Sequence, residues 1–120
     1  MNNDYEYKIK EAHPQVATIV LKEQVLGGND ALAFSSKLEE LSNKKVKFVI
    51  ADLSNVEVMN SSGIGMMVSG LSTLRKHEIN FILASIPGKV NALLEMTHLD
   101  KVFKIYETVS SAEEDCIKNL

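Results

Sequence analysis

One cysteine, Cys116, stands in the 120-residue sequence, so no disulfide can form within the chain. No apolar run approaches the roughly 20 residues that a membrane-spanning helix needs, and no membrane insertion is expected. The opening Met1-Asn2-Asn3-Asp4 is polar and slightly acidic, unlike a targeting segment. Together these absences point to the cytoplasm. A dominant charge is missing too: the formal net charge is -3, mixed in sign, with no basic stripe. Nucleic acid is therefore not expected as a direct partner. Lys44, Lys45 and Lys47, the densest positive cluster, fit a solvated turn leading into a strand.

The signatures of common enzymes are absent as well. Neither Ser61 nor Ser62 sits in a G-x-S-x-G elbow. His13, His77 and His98 are scattered, with no spacing that ties them to a serine, an acid or a metal. His77 suits the C-terminal end of a helix and His98 a turn. Gly63-x-Gly65 lacks the third glycine of a dinucleotide loop, and the stretch from Gly63 to Gly70 lacks the lysine of a phosphate-binding loop. No enzyme, cofactor or metal is expected from these residues.

What is present is a hydrophobic pattern rich enough to offset chain entropy, with 45% apolar and 24% charged residues. No repeat, low-complexity tract or linker divides it, so residues 1–120 are expected to form one domain. Residues 4–11 alternate through Tyr5, Tyr7 and Ile9, as a half-buried strand near a sheet edge would. After Pro14, residues 16–21 (V-A-T-I-V-L) resume as a more buried strand. Gly27-Gly28 breaks the chain, with Asn29 or Asp30 placed to cap a helix whose Ala31, Phe34, Leu38 and Leu41 face inward. Residues 46–53 have the continuous apolar centre of a central parallel strand.

A second helix is expected from Asn60-Ser61-Ser62-Gly63, with Ile64, Met67, Val68, Leu71 and Leu74 inward. Met66, Ser69, Gly70 and Thr73 form its opposite face, unusually free of charge for an exposed helix side. Residues 79–84 read as a strand, Pro87 as the opening of a third helix, and residues 102–106 as a short strand. Ser110 or Ser111 then begins a terminal helix, on which Glu113-Glu114-Asp115 suits a solvated face. The expected fold is α/β: a mixed, mostly parallel sheet of four to five strands with about four helices. The first two strands have no helix between them, so part of the sheet is expected to be antiparallel. An unpaired first strand would favour at most a weak homodimer over a monomer.

The most informative stretch is residues 52–68, D-L-S-N-V-E-V-M-N-S-S-G-I-G-M-M-V. A buried strand runs through a short loop to two serines and two glycines at a helix start. Amides of that first turn lack intrahelical partners, and the helix dipole adds partial positive charge. Such a tip accepts an anion, including a phosphate attached to serine. Gly63 and Gly65 would let another protein approach the backbone. Local pattern alone also permits a plainer reading, with Asn60 or Ser61 only a cap and the glycines only packing devices.

This passage resembles the signature of STAS domains, above all bacterial anti-sigma-factor antagonists, usually D-L-S-x-V-x-x-x-D-S-S/T-G-L/I-G. The likeness continues in residues 86–90 (I-P-G-K-V) and 93–103 (L-L-E-M-T-H-L-D-K-V-F). The resemblance implies a partner switch. The unmodified antagonist binds an anti-sigma factor that is also a serine kinase, phosphorylation by that kinase releases it, and a serine phosphatase restores binding. It carries the phosphate onto Ser61, with Asn60, Ser62, Gly63 and Gly65 as its loop. The uncharged face of Met66, Ser69, Gly70 and Thr73 is then the expected partner surface. One position departs from the family: Asn60 stands where the aspartate is usual. A STAS module that is not phosphorylated, serving as a scaffold or as an accessory subunit of a transport complex, is the alternative.

Overall fold

The structure is a computed structural model and describes residues 5–120. Strand β1, Glu6–Ile9, runs antiparallel to β2, Val16–Val20. The expected start of the first strand at Asp4 lies outside the described residues. A two-residue strand β3, Gln24–Val25, precedes helix α1, Asn29–Ser42. Strand β4, Phe48–Asp52, is followed by a second two-residue strand, β5, Val58–Met59, and then helix α2, Ser61–Lys76. Strand β6, Asn80–Ala84, leads to α3, Gly88–Met96, and a 3-10 turn at Leu99–Lys101. Strand β7, Lys104–Tyr106, and helix α4, Val109–Lys118, complete the order.

The main sheet has the order β1-β2-β4-β6-β7, with every pair but the first parallel. The expected mixed, mostly parallel sheet with four α-helices is therefore the observed one. Helices α1 and α2 cover one face: Phe34, Leu38 and Leu41 of α1 and Met67 and Leu74 of α2 pack with Ile19, Val49, Ala51, Phe81 and Leu83. A row of edge-to-face aromatics, Tyr5–Phe34–Phe81–Phe103, crosses this core with ring centroids 5.3, 6.2 and 6.2 Å apart. The other face buries Val16, Ile50, Ile82 and Ala84 beneath Ala112 and Cys116 of α4. Because both faces of β4 are covered, its residues from Phe48 to Ala51 are continuously apolar, where β1 alternates.

Several local expectations are corrected. Helix α1 is not capped by Asn29 or Asp30: Gly28 is the N-cap, with a φ of 62° and no side-chain cap, and Asn29 is already helical. Asp30 instead lies 3.6 Å from Lys22. Helix α4 begins before Ser110, because Thr108 caps it and shares a reciprocal capping box with Ser111. The acidic run on α4 is partly engaged: Glu113 reaches Lys10 at 3.7 Å, and Asp115 accepts a hydrogen bond from Tyr106 and pairs with Lys104 at 3.5 Å.

Helix α2 is rotated relative to its expected faces. Val68, expected inside, is exposed, whereas Met66 and Gly70, expected outside, are buried. The cause is α1, which packs along that side: a β-carbon on Gly70 would stand 3.0 Å from Leu38 Cδ1 and 3.1 Å from Phe34 Cε2. A helix that meets both a sheet and a neighbouring helix buries a wider arc than one lying on a sheet alone.

Candidate functional site

Every strand of the parallel set delivers its following helix to the same end of the sheet, and α2 begins there after β4. Asn60, in extended conformation with φ −108° and ψ −176°, is its N-cap, and its side-chain oxygen accepts a 2.8 Å hydrogen bond from the Gly63 amide. Asparagine therefore retains the capping bond, without a negative charge at the tip. Ser61 and Ser62 are the first two helical residues, and both are exposed. Among the described residues, the amides of Ser61 and Ser62 donate to no protein acceptor. No acidic residue sits in the first turn, while Arg75 and Lys76 occupy the last. The dipole is thus complemented at its negative end and left open at its positive one.

The two glycines after the serines have different jobs. A β-carbon on Gly63 would fall 2.0 Å from the Val25 carbonyl oxygen and 3.0 Å from Met59 Cγ. The small parallel ladder of β3 and β5, pairing Gln24 with Val58 and Val25 with Met59, lies directly against the helix start. Gly65, by contrast, has nothing within 4 Å of such a carbon and faces open space. Gly63→Ala is expected to cost about 2–3 kcal/mol, because backbone and not a flexible side chain would have to move. Gly65→Ala is expected to raise stability by about 0.5–1 kcal/mol through helix propensity. Urea unfolding of the two variants measures both signs, and a stable Gly63→Ala protein would mean that β3 does not press on the helix tip.

A residue that the sequence marked only as part of a chain break also reaches the tip. Gly27, with a φ of 83°, backs Ser62 so closely that a β-carbon there would lie 2.8 Å from Ser62 Cβ. Its neighbour Leu26 is 40% exposed and Val58 on β5 is 49% exposed. Both are chain neighbours of residues that touch the helix start. The only sequence signal for this was Gly27-Gly28, which marks a break but not the segment it folds against. Of the expected partner face, Ser69 is exposed and Thr73 half-buried at the mouth of a narrow crevice between α1 and α2 that Ser35 also lines. Met66 and Gly70 form its floor.

The remaining reactive groups stand apart from this tip. Burial pushes the Cys116 thiol up to about 11, with Asp115 adding to the effect, so at neutral pH it stays a protonated, inert core group. His77 Nε2 lies 3.8 Å from the Glu39 carboxylate on the surface, and His98 adopts left-handed backbone before the 3-10 turn. Among the described residues no three His, Cys, Asp or Glu side chains gather as a metal would need, and no helix is long and apolar enough to cross a membrane.

The class this defines is a small α/β module with two exposed serines and unpaired amides at one helix start. The family comparison agrees with that class. Residues 7–112 match the model of the STAS domain, and the chain belongs to the STAS domain family. A candidate anti-sigma factor antagonist of Thermotoga neapolitana is 30% identical over 112 residues, covering 92% of this chain and 96% of that protein. The crystal structure of a candidate anti-sigma factor antagonist from Thermotoga maritima superposes with a TM-score of 0.76 at 29% identity, covering 92% of each chain. SpoIIAA of Bacillus, in its phosphorylated form, shares the fold with a TM-score of 0.65 at 13% identity, over 91% of this chain and 98% of that one.

Proposed function

We propose that this chain is an anti-sigma-factor antagonist whose binding to an anti-sigma factor is switched off by phosphorylation of Ser61. The observation that carries the reading is the exposed Ser61 at the first position of α2, beside free amides and with no acidic residue in the helix's first turn. A phosphate there adds roughly −1.5 to −2 charges at neutral pH. The helix start receives that charge favourably, by about 0.3–1 kcal/mol, so the modification leaves the fold in place and acts on the partner. The partner must then bury a charge where the unmodified serine offered only a hydroxyl. The implied partners are an anti-sigma factor with serine kinase activity and a serine phosphatase. The chain itself acts as a binding module, in the cytoplasm and with no cofactor.

Support comes from the likeness to candidate antagonists over nearly the whole chain and from the existence of SpoIIAA in a phosphorylated form. Asn60 supports a second reading, a STAS scaffold or transport-complex subunit that is never phosphorylated. Its amide caps α2 but offers a kinase no carboxylate with which to orient the Ser61 hydroxyl. Intact-mass measurement and phosphopeptide mapping of the protein purified from its own cells, under several growth conditions, decide between them. One phosphate on the peptide that carries Ser61, absent from Ser61→Ala, is the expected result. A phosphate only at another residue, or none under any condition, overturns the switch.

A further inference from the structure

The far end of α2 carries a second surface that the Ser61 reading leaves unused. Strand β7 pairs with β6 only from Ile82 to Ala84, although β6 begins at Asn80. Asn80 and Phe81 therefore have no strand beside them on that side, and the sheet edge is notched. A groove of about 420 Å³ lies there, lined by Val68, Leu71, Ser72, Arg75, Lys76 and Val102. A second cavity of about 150 Å³ shares Leu71, Arg75 and Val102 and continues over Asn80 and Phe81 to Lys104.

This surface combines exposed apolar side chains with charge of a single sign. Val68 and Val102 are 37% and 44% exposed and lie across the same groove. The charged residues in both walls are all cations, in a chain whose net charge is -3. Among the described residues Arg75 and Lys76 make no ion pair, whereas Lys104 pairs with Asp115. Their place in the last turn of α2 suits the helix dipole, but that accounts for neither exposed valine nor the notch.

We infer that this groove is a second docking site, and that its occupant is a short acidic segment of another protein. An aliphatic side chain of that segment seats between Val68 and Val102, and its carboxylates meet Arg75 and Lys76. Charge complementarity selects an acidic occupant over a basic or neutral one. The site is separate from the phosphoserine position, since Arg75 follows Ser61 by about four turns, or roughly 21 Å along the helix. Two partners can thus be held at once, one gated by Ser61 and one not.

The test is a random dodecamer peptide library displayed on phage, selected on the whole protein after depletion on an Arg75→Glu/Val102→Ser variant. Both changes fall at exposed positions, and matching thermal midpoints establish that the variant is folded. The expected pool is rich in Asp and Glu around a Leu, Val or Phe. A synthetic copy of the leading peptide is expected to lose about tenfold or more in affinity to Arg75→Glu, and to weaken with added salt. It is expected to bind Ser61→Asp within about twofold of the unmodified protein, so its outcome is independent of the Ser61 switch. No acidic consensus, equal binding to the variant, or self-association of the protein through Val102 in place of peptide binding would each overturn the inference.

Discussion

Ser61→Asp is expected to weaken binding to the anti-sigma factor by about 100-fold or more, which corresponds to about 3 kcal/mol. The thermal midpoint should stay level or rise slightly, because an acid in the first turn of α2 faces a positive dipole end that holds no other carboxylate. The two effects have opposite signs, and that separates regulation from damage. A merely destabilising change would lower both quantities together. The loss in binding comes from desolvation: a carboxylate at this position under a docked partner gives up water without gaining a cation. Ser61→Ala keeps the small, uncharged surface and is expected to bind like the unmodified protein while no longer responding to ATP. Titration of both variants against the purified partner checks this, and equal affinities for Ser61→Asp and Ser61→Ala would sink the switch.

Met66→Asp is expected to destabilise the fold by about 3–5 kcal/mol, out of the roughly 5–15 kcal/mol that holds a domain of this kind together. The Met66 side chain is 4% exposed and lies with Phe34, Leu38 and Gly70 at the floor of the crevice between α1 and α2. No cation lines that crevice to receive the charge. Thr73, at the crevice mouth, is half-buried, and Thr73→Asp is expected to cost no more than about 1 kcal/mol. Urea denaturation of the pair is the measurement, and a Met66→Asp midpoint equal to that of the unmodified protein would contradict the observed packing of α1 on α2. Thr73→Asp and Ser69→Asp, not Met66→Asp, are then the variants with which to ask whether this crevice touches a partner.

The site was legible where it depends on neighbours in the chain. Asn60, Ser61 and the glycines follow β4 closely, and the end of a parallel strand is where the next helix must start. Of the two caps the sequence offered, Asn60 and Ser61, it is Asn60 that forms, even with asparagine in place of the usual aspartate. It was not legible where distant segments meet. Gly63 looked like one of two equivalent glycines until the Val25 carbonyl was found against it, and that contact depends on β3 pairing with β5. Two-residue strands carry too few side chains to leave a periodic trace, so neither was visible in advance.

Hydrophobic order along the chain by itself determined the alternation of strands and helices, the mixed sheet and the serine-bearing helix start, because each rests on patterns that repeat within a few residues. Tertiary structure alone decided which side of α2 stays exposed, because α1 packs on that helix and takes Met66 and Gly70 into the interior while Val68 is left in solvent. Periodicity specifies that a helix has an apolar stripe. The number of neighbours that share it is settled only when the chain folds.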